Sequence, residues 1–239
     1  KFMARVLAVY VCLSIIVVAH HISMAVQHGR TSTVWRTRMP ILLCALGTIV
    51  MAFFVSIIST MLGPLQCKEH PNRQRTVAWF PGVLCWESDT HTAMLIIGIV
   101  ASTLPLIFIA SATRAAMRYP KELSKGAVNF LTGWAFLFFR YHTSAYWYGP
   151  VLLMRNALVA IAPAMATPVV QILFLQCVML VSLIVVTRVL PWRARLANIL
   201  EVLTHAALLL MMGVAAFFVT SEPGNAVAMF ALVVLLCMP

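Results

Sequence analysis

Apolar positions in this chain come in long unbroken runs separated by short polar stretches. Neither the alternation of a half-buried strand nor the one-sided stripe of a soluble amphipathic helix dominates. A helix needs about 20 consecutive apolar residues to cross the hydrocarbon of a bilayer. Six runs reach that length, at approximately Val6–Val26, Ile41–Leu62, Thr92–Thr113, Tyr146–Met165, Val169–Thr187 and Ile199–Val219. A seventh begins at Ala226 and is still apolar where the sequence stops at Pro239. None shows the period of two that a transmembrane barrel strand requires. The pattern predicts an all-α fold, a polytopic transmembrane helical bundle of six full spans and a partial seventh, as a single domain over 1–239. The first run has no small-residue cleavage site behind it, so it is a span and not a leader. The chain opens on Lys1 and closes inside an apolar run, and is expected to be cut from something longer at both ends.

One segment does not fit the span pattern. Ala127–Phe139 is apolar and aromatic but too short to cross unaided. Phe130, Leu131, Trp134 and Phe138 recur at helical spacing, with Lys125 and Arg140 flanking them. That arrangement predicts an amphipathic interfacial helix over 121–141. The alternative is a short crossing, which would invert everything downstream. Tyr141, Tyr146, Trp147 and Tyr148 before the fourth span, and Trp192 after the fifth, have the composition of an aromatic belt anchoring helices at the membrane surface.

Composition agrees with this picture, with 62% of the 239 residues hydrophobic and 10% charged. The net charge of +11 does not point to nucleic acid, because the basic residues are spread over alternate loops. Arg30, Arg36 and Arg38 follow the first span. Arg114, Arg118, Lys121, Lys125 and Arg140 follow the third, against Glu122, and Arg188, Arg193 and Arg195 follow the fifth. The intervening loops are neutral or acidic: Lys68, Arg73 and Arg75 are balanced by Glu69, Glu87 and Asp89, and the loop after the sixth span has only Glu222. By the positive-inside rule the amino terminus lies outside, and the basic loops face the cytoplasm, where they attract anionic membrane lipid.

The loop over 63–91 is the only sizeable segment on the outer side, and it holds Cys67 and Cys85. A disulfide capping that loop is expected on an oxidising face. Two free thiols, or a metal site drawing on His70 or His91, are the alternatives, although the spacing fits no standard zinc pattern.

Catalytic motifs are absent: there is no phosphate-binding loop, no nucleophile elbow, no His-Glu-x-x-His and no Cys-x-x-Cys. Of the six acidic residues only Glu201 falls within a span. No catalytic residue, metal or cofactor is expected. His20 and His21 are adjacent and therefore point to different helix faces, which favours one packed and one interfacial ring over a haem or proton site.

The stronger lead is the polar groups inside the spans. Arg155 lies about midway along the fourth run, and an ionisable group at that depth is costly and a functional suspect. Counting about 1.5 Å per residue from the presumed inner boundary places His205 at about 10 Å, Arg155 at about 14 Å and Gln176 at about 16 Å, with Glu201 shallower. Asn198, Glu201 and His205 share one face of the sixth span. Arg155, Gln176, Glu201, His205 and Asn198 are therefore expected to form one polar cluster, which either fixes helix packing or forms a path or gate for a small polar species.

Trp147-Tyr148, Leu152 to Arg155, Gln171, Pro191-Trp192-Arg193, Asn198 and Glu201, with Cys67, Pro81, Cys85-Trp86 and His91 in the outer loop, carry a resemblance. Tyr146–Phe218 resembles the carboxyl-terminal membrane module of large protist and algal multidomain proteins with EGF-like or pectin-lyase-like ectodomains. That module is distantly similar to fungal TRP-like channels, which implies a channel-type bundle with a pore near its last spans. No selectivity-filter sequence is visible. The leading expectation is a channel or sensor domain that assembles as a homo-oligomer. The rivals are an accessory subunit of a large membrane assembly and a seven-span receptor.

Overall fold

The computed structural model describes residues 1–28, 32–165 and 167–219. The chain is mostly helical. It was expected as one domain but divides into two compact units, Lys1–Met154 and Arg155–Pro239.

The first unit opens with helix α1 (Phe2–His28), followed by α2 (Ser32–Ala52) and α3 (Phe54–Met61). The expected span Ile41–Leu62 is not straight. It breaks at Phe53, whose φ of −100° and ψ of 12° lie in the bridge region, and the two pieces meet at 64°. Helices α4 (Asp89–Ala101) and α5 (Thr103–Ser124) follow one another almost without interruption. Ser88 caps α4, its hydroxyl accepting the His91 backbone N–H at 3.2 Å, and Asp89 places a carboxylate in the first turn, where the helix dipole favours it.

The loop expected between the second and third spans contains a sheet that hydropathy gave no sign of. Strands β1 (Cys67–Glu69), β2 (Arg75–Val77) and β3 (Phe80–Leu84) pair antiparallel in sequence order, with Cys67 opposite Val77 and an irregularity at Thr76/Val77. Strands of three to five residues are too short to show a period.

The interfacial helix expected over 121–141 is not one helix. Its first residues finish α5, and the remainder forms α6 (Val128–Gly133) and α7 (Ala135–Phe138), separated at Trp134. Two aromatic side chains, Phe136 and Phe138, turn into the protein, whereas Phe139 stays exposed. Phe136 stacks on Phe108 of α5 with ring centroids 6.1 Å apart, and Phe138 lies 4.3 Å from Tyr119. Gly47 of α2 makes room for this packing, since a Cβ there would fall 2.1 Å from the Phe136 ring.

Helix α8 (Tyr148–Ile161) carries the chain into the second unit, a one-turn 3₁₀ segment extends it to Ala164, and α9 (Pro168–Val189) and α10 (Arg195–Val219) complete the described chain. Thr167 caps α9, with Pro168 in the first turn, where its missing N–H costs nothing. Leu190 ends α9 in the left-handed region, at φ 46°, and Pro191 prevents continuation. The short connection that follows makes α9 and α10 an antiparallel pair.

Among the described residues four helices are long and apolar enough to cross a membrane: Phe2–Val26, Asp89–Ser124, Pro168–Val189 and Arg195–Ala216. A fifth is added if the bent α2–α3 pair counts as one span. Tyr148–Ala164 is apolar but shorter. The partial span from Ala226 lies outside the described residues.

Candidate functional site

Three helices and one turn of the second unit bring polar side chains to one point. Arg155 comes from α8, Ser182 from α9, Glu201 and His205 from successive turns of α10, and Trp192 from the α9–α10 connection. The Arg155 Nη1 donates to Glu201 Oε1 and to His205 Nε2, each at 3.0 Å, and reaches Ser182 Oγ at 3.4 Å. Its Nε and Nη2 donate to Asn156 Oδ1 at 3.4 Å. The ion pair is well removed from solvent, with the Arg155 and Glu201 side chains 19% and 11% exposed. The second carboxylate oxygen, Oε2, accepts the Trp192 indole N–H.

The tautomer of His205 follows from its partners. Nδ1 lies 2.7 Å from the backbone carbonyl of Glu201, which can only accept, so Nδ1 carries the proton. Nε2 is then the acceptor, as required by the guanidinium and by the Ser182 hydroxyl at 2.9 Å. The ring is neutral, the guanidinium and carboxylate cancel, and the cluster carries no net charge. Removing a charge from water is costly unless it is paired and its remaining hydrogen-bonding groups are met. Both conditions hold here.

Asn198 is buried but serves a different purpose. Its Oδ1 accepts the Trp192 backbone N–H at 3.0 Å and its Nδ2 donates to the Trp192 carbonyl at 2.9 Å. This two-point clamp fixes the turn that aims the indole at Glu201. It also settles which way the amide points, because a backbone N–H needs an acceptor.

Gln176 is buried too, yet it is not among the hydrogen-bond partners of Arg155. Depth counted along the helix put it level with the Arg155 Cα, but a guanidinium sits at the end of a long stem and reaches toward the nearer helix ends. Ser182, six residues further along α9, therefore meets it. Sequence reasoning missed Ser182 and Asn156, and took Trp192 for a membrane anchor alone. A short polar residue in the last turns of a span facing an arginine is the signal that was there for Ser182.

Beside the cluster lies a cleft of about 380 Å³ lined by Arg155, Trp192, Glu201 and His205 on its polar side and by Leu200 and Leu208 on its apolar side.

In the first unit Cys67 and Cys85 are joined in a disulfide. His91 is fully buried against it, and one of its ring nitrogens and the two sulfurs lie within 4.8 Å of one another. His91 Nδ1 accepts the Trp86 backbone N–H at 3.1 Å, and Nε2 donates to the Pro64 carbonyl at 3.0 Å. With the sulfurs bonded to each other and both nitrogens engaged, this group is a staple and not an open ligand set. His70 pairs with Thr76 Oγ1 at 2.7 Å, and His21 bonds the Val17 carbonyl at 2.7 Å within its own helix.

These features define a mostly helical protein with several helices able to cross a membrane. No family model matches the chain, and neither a curated protein nor a solved structure does.

Proposed function

We propose that the chain is an integral membrane module of channel or sensor type, in which the Arg155 cluster is the part that rearranges. In this reading α1, the α2–α3 pair, α4 with α5, α8, α9 and α10 are six crossings with the amino terminus outside, and the run from Ala226 is a partial seventh. One observation carries the functional reading. Among the described residues, a permanent cation among apolar helices takes side chains on three helices of its unit as hydrogen-bond partners, next to a cleft. A cluster serving packing alone is satisfied as well by apolar residues of similar volume. A cluster of rotatable partners around one charge has a second arrangement within reach.

The test is ion flux through liposomes holding the purified full chain, compared with the paired variant Arg155→Leu/Glu201→Leu. The pairing removes both charges together, so the fold should survive. Flux in the native chain that disappears in a folded paired variant supports the proposal. A native chain that passes no ion, or a paired variant that passes ions equally well, overturns it.

A subunit role in a larger membrane assembly is favoured by α1, where Met3, Leu7, Val11, Ile15, Val18 and Ile22 form an exposed apolar stripe along the helix. The mass and composition of the particle extracted from its native membrane separate the two readings. Copies of this chain alone support a channel, and many different subunits support the accessory role.

A further inference from the structure

Helix α5 carries a second charged feature, which the cluster does not use. The α4–α5 segment runs 36 residues, Asp89–Ser124, or roughly 54 Å at 1.5 Å per residue, against about 30 Å of hydrocarbon. Its apolar stretch ends at Thr113. The remainder of α5 therefore extends past the hydrocarbon edge. Arg114, Arg118, Lys121 and Lys125 occupy positions i, i+4, i+7 and i+11, which fall within roughly 60° of one face at about 100° per residue. All four are exposed, while Ala112, Ala115, Ala116 and Tyr119 on the opposite face are buried. Lys125 is engaged by Glu122 at 3.8 Å, whereas among the described residues no salt bridge involves Arg114, Arg118 or Lys121.

The same face continues inward as apolar surface. Counting back from Arg114, Ala110, Ile107 and Thr103 lie on its line, all exposed, with Ile107 at 67%. An exposed apolar strip that passes at the hydrocarbon edge into three unneutralised cations matches the two halves of one phospholipid molecule.

We propose that this face of α5 is a binding site for an anionic glycerophospholipid, its acyl chain along Ile107 and Ala110 and its phosphate held by Arg114, Arg118 and Lys121. The site rests on the reading that α4–α5 crosses the membrane, and is independent of whether the chain conducts ions. A diffuse attraction of all basic loops for anionic lipid would not discriminate among them, whereas a site would.

The experiment titrates the detergent-purified full chain with dioctanoyl phosphatidylglycerol and reads the rise in thermal stability. Dioctanoyl phosphatidylcholine and glycerol 3-phosphate serve as the neutral-lipid and lipid-free probes. The expected result is a saturable rise with phosphatidylglycerol and none with the other two. Arg114→Gln/Arg118→Gln/Lys121→Gln should weaken the midpoint on the order of 100-fold, from the usual contribution of each basic residue near anionic lipid. Arg188→Gln/Arg193→Gln/Arg195→Gln, an equal loss of charge elsewhere, should leave it unchanged. Equal weakening in both triple variants, no rise with phosphatidylglycerol, or an equal rise with glycerol 3-phosphate would each overturn the site. Alkaline carbonate extraction of the same proteins from membranes separates the two levels. A chain released by carbonate overturns the membrane reading beneath, and one that stays inserted without binding lipid overturns the site alone.

Discussion

Two buried histidines, one in each unit, meet their hydrogen-bonding needs in opposite ways. His91 accepts at Nδ1 and donates at Nε2, and both partners are main chain. His205 donates at Nδ1 to its own helix and accepts at Nε2 from Ser182 and Arg155, both side chains. The backbone around His91 is held by the Cys67–Cys85 bond on one side and the Ser88 cap on the other, so the ring has one arrangement. The partners of His205 at Nε2 rotate about their own bonds, and one of them is charged. Burial alone therefore does not separate a fixed ring from one in the cluster proposed to rearrange. The kind of partner does.

The largest effect is expected from removing the charge. Arg155→Leu leaves the Glu201 carboxylate buried without its cationic partner, and losing one member of a buried pair costs about 3–5 kcal/mol. Arg155→Leu/Glu201→Leu should recover most of that loss. Thermal and denaturant unfolding of the detergent-solubilised variants measures both. A paired variant as unstable as the single one would mean that the two charges are not coupled.

A smaller effect separates the two rings directly. His91→Ala takes the ring away from the Trp86 N–H, which water can then reach because Trp86 is exposed, and from the buried Pro64 carbonyl, whose loss of a partner costs about 1–3 kcal/mol. His205→Ala costs less stability, because Ser182 and Arg155 retain contact with each other and Arg155 retains Glu201. Hydrogen exchange should show the Trp86 amide losing protection in the first variant only. Equal destabilisation by the two changes would remove the distinction drawn between them.

Much of the second unit was legible because one rule dominates it. A long apolar run must be a helix, and charges inside such runs must find each other, so Arg155, Glu201 and His205 could be brought together from sequence. What failed was direction. Cα depth cannot say where the end of an arginine side chain lies, and Gln176 was chosen where Ser182 serves. The first unit was less legible because its features lie below the reach of periodicity. The strands have no more than five residues, the break at Phe53 has neither proline nor glycine beside it, and the break at Trp134 interrupts an otherwise continuous aromatic pattern. The Cys67–Cys85 pair was visible as two cysteines in one loop, but nothing in the spacing announced that His91 would lie buried against them.

The gentlest probe of the cluster acts through a residue that never touches the arginine. Asn198→Ala removes both hydrogen bonds that hold the Trp192 backbone, N–H and carbonyl alike. Trp192 is only half-buried, so water can replace part of what is lost, and the cost should be about 1 kcal/mol. The larger consequence is directional. Once the turn is free, the indole is no longer aimed at Glu201, and Oε2 loses the contact with Trp192. The emission of Trp192, isolated as the difference between each protein and its Trp192→Phe counterpart, should shift to the red in Asn198→Ala. Asn198→Asp keeps an acceptor for the Trp192 N–H and should shift less. An unchanged spectrum in both would mean that the indole is held by Glu201 itself, and that the clamp at Asn198 serves the turn alone.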